Sequence, residues 1–226
     1  LKEAIIRFVA HEKDAEAFAA VVETLWENYP PQVFSNLMNI MGTHDTARII
    51  TVLGLGDGLF KLSKDEKAKL RLSREQRRKA REKLHLAIMI WAFMPGIPCI
   101  YYGDEIGMEG AEDPFNRQCF DLQAADKDIA AFYRKVLMFR KGIADIGSYG
   151  FRPDICRNSF YVFARHGSEK SIIIAVNTGD KTEEFCINMG EDGSILDYIK
   201  SGSCTVSDTG AVSVGGCSGT ILIVTE

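Results

Sequence analysis

Asn36 to Thr51 reads NLMNIMGTHDTARIIT, and the fold turns on how this stretch is taken. Leu37, Met38, Ile40 and Met41 make a short apolar run that passes through Gly42 into Thr43-His44-Asp45-Thr46. An apolar run ending in glycine and then polar residues describes a buried strand that empties into a loop. Barrel enzymes hold their chemistry at such strand ends, which makes His44 and Asp45 candidates. A plain reading stands beside this one, since a His and an Asp also serve simply to cap a turn.

A second stretch, Met94 to Arg117, reads MPGIPCIYYGDEIGMEGAEDPFNR. Pro95-Gly96 ends a helix, and Pro98 to Gly103 reads as another buried strand. The helix before it begins at Ser73, with Gln76 three residues on completing a capping box. Arg77, Ala80, Leu84, Ala87, Ile88 and Trp91 trace one face, and the end LAIMIWAFM is apolar nearly all round, so that end is expected to be buried. Strand, helix and strand in this order form a βαβ unit with parallel strands. His85 has no second metal ligand four residues away and reads as a packed or surface histidine. Asp104-Glu105 is not a pair of facing carboxylates, because neighbours on an extended chain point to opposite faces.

Together the two stretches resemble the last two barrel strands of the α-amylase superfamily of glycoside hydrolases, especially its neopullulanase, cyclomaltodextrinase and maltogenic-amylase branch. The matching patterns are NxxxxHDTxR at Asn39 to Arg48 and GxPxIYYGDEIG at Gly96 to Gly107. The resemblance implies that Asp45 is the third of three essential acidic residues, with His44 fixing the same sugar ring. It also implies that Asp113 and Arg117 of Asp113-Pro-Phe-Asn-Arg117 hydrogen-bond a sugar next to the cleaved bond. Gln118-Cys119-Phe120-Asp121 departs from the arginine, proline and tryptophan usual there. A purely structural reading has Asp113 and Arg117 pairing only with each other.

The composition is that of an ordinary globular chain: 226 residues, 46% hydrophobic and 26% charged. A formal net charge of −4 gives no electrostatic argument for nucleic acid or an anionic membrane. Six cysteines without CxxC spacing read as free thiols of a reducing compartment, the cytoplasm, and neither metal nor cofactor is called for. The chain opens on Leu1 inside an amphipathic pattern, which suggests a piece of a longer polypeptide.

Lys2 to Val9 is expected to be a helix, and Asp14 the N-cap of a second one whose stripe is Phe18, Val21, Val22, Leu25, Trp26 and Tyr29, stopped by Pro30-Pro31. Gly54-Leu-Gly56-Asp-Gly58 reads as a flexible loop, and the basic run Lys61 to Lys83 as a solvated face. Met108 to Arg117 is a loop carrying Glu109, Glu112, Asp113 and Arg117. Ile129 to Arg140 marks a last helix, with Gly142 at its C-cap. Short strands follow at 160–163, 171–176, 184–189, 205–214 and 220–224, with turns at Asn177 to Asp180, Gly190 to Gly193, Ser201-Gly202 and Gly215-Gly216. The expected architecture is thus the last βα units of a (β/α)8 TIM barrel over residues 1–144, then an all-β antiparallel sandwich over 145–226.

A whole (β/α)8 barrel takes ~250 residues, and only about 140 precede the sandwich. The expectation is therefore the C-terminal part of a retaining α-glucan hydrolase acting on starch-type oligosaccharides, without nucleophile or acid/base and inactive alone. A homo-oligomer built through the open edge of the truncated barrel goes with it. The alternative is a non-catalytic amylase-like scaffold or carbohydrate-binding protein.

Overall fold

The computed structural model describes residues 1–189 and 193–225. Two short helices, α1 (Lys2–Val9) and α2 (Ala15–Asn28), lead the chain, the second capped by Asp14, whose carboxylate accepts from Ala17 N at 2.8 Å. Pro31 starts a single turn, α3 (Pro31–Phe34), and the parallel strand β1 (Met38–Ile40) follows. Then come α4 (Ile49–Leu55), α5 (Lys64–Ala68), the long α6 (Arg74–Phe93), β2 (Ile97–Cys99) and α7 (Lys127–Lys141). The capping box at Ser73 and Gln76 forms as expected, and β1 pairs with β2 in parallel, Asn39 beside Pro98.

The rest is antiparallel: β3 (Gly150–Arg157), β4 (Phe160–His166), β5 (Lys170–Asn177), β6 (Glu183–Cys186), β7 (Ile195–Ser201), β8 (Cys204–Val206), β9 (Ala211–Val214) and β10 (Ser218–Thr225). They make a five-stranded sheet ordered β3-β4-β5-β10-β7 and a three-stranded sheet β6-β9-β8. Side chains alternate across the large sheet and sort into two cores. Tyr161, Phe163, Ile172, Ile174, Val176 and Ile221 join the helices in one cluster. Phe160, Val162, Ala164, Ile173, Ala175, Leu222 and Val224 face Val212 and Val214 of the small sheet in the other. With both faces covered, β4 and β5 read as unbroken apolar runs.

The apolar end of α6 is the helical half of that first cluster, with every residue from Leu86 to Phe93 buried. Its approach to β10 is close: a Cβ at Gly219 would sit 2.9 Å from Met89 Sδ. Arg165 of β4, fully buried, joins the two halves by donating to Phe93 O at 3.1 Å and to Ile146 O and Tyr149 O at 2.9 and 2.8 Å. It thereby satisfies a carbonyl at the C-terminal end of α6. The core runs across residue 144 without a break.

Several expectations need correction. β1 and β2 have only three residues each, and Met38 (68%), Ile97 (53%) and Ile40 (37%) are exposed, because none of the described residues covers that face of the parallel pair. Val21, Trp26 and Tyr29 are also exposed, leaving Phe18 and Val22 as the buried part of the stripe on α2. Gly54 to Gly58 is not a loop but the end of α4 and a 3-10 turn. The basic run is largely the solvated face expected, with Arg78 and Lys79 exposed, except that Lys67 reaches Glu112 at 2.6 Å and Arg77 pairs with Glu109 and Asp126. The single strand expected at 205–214 is two, β8 and β9, turned at Ser207 to Gly210, where Gly210 has φ +83. β3 and β7 were not expected. Both lie at sheet edges, and their mixed polar sequences, with Pro153 in β3, hide the strand pattern. The turn expected at Gly190 to Gly193 lies outside the described residues but for Gly193. No helix among the described residues is long and apolar enough to cross a membrane.

His85 of α6 faces α7, its ring stacked on Phe132 at 3.9 Å and its Nδ1 3.1 Å from Ser201 Oγ. Burial pushes its pKa down to about 4, with Arg81 adding to the effect against Asp126 and Asp128. The folded state therefore binds fewer protons than the unfolded one between pH 6.5 and 4. Stability present above pH 6.5 is lost as pH falls through that window, a linkage on the order of 3 kcal/mol. Urea denaturation at pH 7 and pH 4.5 checks this, and in His85→Gln the difference between the two should shrink.

Candidate active site

The site is built where β1 ends. Beyond Ile40 the chain enters the loop 41–48, and the loop 108–117 after β2 lies against it. All four residues singled out from the sequence meet here. His44 Nε2 lies 3.2 Å from Asp45 Oδ1, Arg117 Nε forms an ion pair with Asp113 Oδ1 at 2.9 Å, and Arg117 Nη2 stands 3.9 Å from Asp45 Oδ1. Arg117 Nε donates its hydrogen to His44 O at 3.1 Å, so the residue bridges the two loops rather than pairing with Asp113 alone. The four side chains keep between 46% and 69% of their surface in solvent. They form an open, hydrated array of carboxylate acceptors and imidazole and guanidinium donors, fit to bind hydroxyl groups.

Beneath them is a buried polar layer. Arg48 is 1% exposed, donates through Nε to Asn116 O at 2.8 Å and through Nη1 to Tyr102 O, and pairs with Asp104 at 3.2 Å. The rings of Tyr101 and Tyr102 hold its guanidinium at 4.4 and 4.6 Å, a cation–π contact on each. Gly42 is required beside it, because a Cβ there would fall 2.0 Å from Asp104 Oδ2. Burial raises the Asp104 carboxyl to about 6 against the pull of Arg48. Asp104 thus belongs to the buried layer as the partner of Arg48, beneath the exposed groups. Lys2 closes the loop from outside, donating to Thr46 Oγ1 at 2.7 Å.

Residues 6–139, more than half of the chain, match the family Alpha-amylase, described as the alpha amylase catalytic domain. The chain belongs to the alpha-amylase family. It is 31% identical over 229 aligned residues, 93% of its length, to an amylopullulanase of Thermoanaerobacter thermohydrosulfuricus, of which it covers 15%. With a cyclomaltodextrinase of a Bacillus species it shares 29% identity, covering 77% of this chain and 28% of that enzyme. The chain thus spans well under a third of either relative. In structure it aligns over 99% of its length with the type III pullulan hydrolase from Thermococcus kodakarensis, at a TM-score of 0.74, 19% identity and 35% of that chain. A debranching enzyme of Nostoc punctiforme aligns at 0.73, with 22% identity, 97% of this chain and 45% of that one.

In this alpha-amylase-family chain the sequence reading found the exposed residues of the site and missed the layer that holds them. Arg48 lay within a quoted pattern without a role, and Asn116 passed as the variable position of the Asp113 to Arg117 motif. Buried polar groups leave no periodic trace; the one signal available was the placing of Arg48 and Asp104 beside apolar runs, where a charge needs a partner.

Proposed function

We propose that this chain carries the C-terminal share of a retaining α-glucan hydrolase that acts on α-1,4 or α-1,6 glucosidic bonds of starch-type oligosaccharides. In this reading residues 1–144 are the last βα units of a (β/α)8 barrel and residues 145–226 the sandwich after it. The observation that carries the reading is the meeting of His44, Asp45, Asp113 and Arg117 at one strand end, within 3.9 Å of one another along the chain of contacts. Asp45 binds ring hydroxyls of the sugar being cleaved, in contacts that strengthen as oxocarbenium charge develops, and His44 fixes the same ring. Asp113 and Arg117 hold the neighbouring sugar. Nucleophile and acid/base belong to strands upstream. A scaffold that only held partners would have no use for four exposed sugar-binding groups. Six unpaired thiols favour a reducing compartment, the cytoplasm.

Two outcomes are expected of the purified chain. Reducing-sugar release from maltooligosaccharides, pullulan or cyclodextrin should equal the buffer blank, while a polypeptide supplying the whole barrel turns over; turnover that tracks the isolated chain through purification contradicts the assignment. Light scattering should show copies associated through the uncovered face of Met38, Ile40 and Ile97. A monodisperse monomer would remove that association.

A further inference from the structure

Asn116 is fully buried, and its amide nitrogen lies 2.7 Å from Thr46 O, 2.8 Å from His44 O and 3.2 Å from Thr43 O. Two hydrogens thus serve three carbonyls of one loop. The amide cannot be turned over, since its oxygen would then face three other acceptors. Its Oδ1 has no hydrogen-bond partner among the described residues, so the group is held by its donors. From the other side the buried Arg48 fixes the backbone of the same residue by donating to Asn116 O, and the next residue in sequence is Arg117.

We propose that Asn116 is the positioning residue of the site. Its side chain gathers the loop 43–46 around one point, and its backbone sets Arg117 beside that loop, so the distances among His44, Asp45 and Arg117 are fixed from beneath. The three site groups keep between 46% and 69% of their surface in solvent, and contacts among exposed polar groups hold little geometry by themselves. The catalytic meaning of this clasp rests on the function proposed above; its geometry does not.

Asn116→Asp in this chain keeps the shape and replaces both donors by acceptors. Amide exchange at Thr46 and Arg48, whose N–H groups donate to Thr43 O and Gly110 O, should quicken roughly tenfold or more, while the amides of α6 stay protected. A second readout separates positioning from bulk stability. The ring resonances of His44 should move on Asp45→Asn in the otherwise unaltered chain and cease to respond to that change in the Asn116→Asp background. If Asn116→Asp does not fold, Asn116→Ser, which keeps one donor on a shorter stem, carries the same two readouts. Unchanged exchange with an intact His44 response overturns the proposal, and so does an equal loss of protection throughout α6, which would make Asn116 a stability residue only.

In a polypeptide supplying the whole barrel, Asn116→Asp should lower kcat about a hundredfold with a much smaller change in KM. Equal kcat in variant and parent overturns the positioning role. A parent with no α-glucan turnover at all overturns the sugar reading and leaves the exchange result to stand on its own.

Discussion

Asp45→Asn, made in a polypeptide that supplies the rest of the barrel, is expected to lower kcat roughly a thousandfold or more and to leave the folding midpoint nearly unmoved. The two halves of this expectation have separate causes. Asp45 keeps 69% of its side chain in solvent and its nearest polar neighbours are His44 at 3.2 Å and Arg117 at 3.9 Å, so the native state loses little with the charge. In the role proposed for Asp45 the same oxygen would face a ring bearing positive charge in the transition state, where removal of one aimed group costs several powers of ten. The loss should lie in kcat more than in KM, since the contact strengthens as the reaction proceeds. Steady-state kinetics on a maltooligosaccharide, with a thermal melt of the same preparation, checks both. Ordinary activity in the variant removes Asp45 from the catalytic set.

Arg48→Met is expected to show the opposite pattern, a loss of stability of about 3–5 kcal/mol, because it strands a buried carboxylate without its cation. Arg48 and Asp104 are 1% and 3% exposed, and two aromatic rings and three hydrogen bonds go with the guanidinium. Asp104 takes part in the pH dependence. Its folded pKa, near 6, lies above the usual carboxylate value, so its contribution is full below pH 3.8 and is lost as pH rises through 6. The Arg48→Met defect should accordingly be smaller at pH 5 than at pH 8. Asp104→Asn added to Arg48→Met should restore part of the loss, while alone it should cost less than Arg48→Met. Urea melts of the four proteins check the cycle, and strict additivity would show that the two residues do not act as a pair.

What was legible in the sequence follows from what repeats. The apolar rhythm of α6, its capping box, the N-cap at Asp14 and the central strands β4 and β5 were all read correctly, since each is a local pattern of residue type. The edge strands β3 and β7 were missed because an edge carries charges and proline where a central strand carries valine and isoleucine. The length and burial of β1 and β2 were misjudged for another reason. Their sequences suit strands covered on both faces, and Met38, Ile40 and Ile97 meet solvent here because no neighbour among the described residues lies on that side. In the site, His44, Asp45, Asp113 and Arg117 were visible through the motifs around them. The hydrogen bonds of Asn116 and Arg48 were not, because they join positions about 70 residues apart that no local pattern links.

The claim that matters most is that the two loops form one site for an α-glucan, and a titration of the isotope-labelled chain with maltotetraose tests it most directly. Weak binding by this part of a site is sufficient, since nuclear magnetic resonance detects millimolar affinities. Resonance shifts that saturate together at His44, Asp45, Asp113 and Arg117 are expected, with Asp45→Asn weakening all four. Shifts confined to the antiparallel sheets, or none at these residues at any soluble concentration of the sugar, would contradict it.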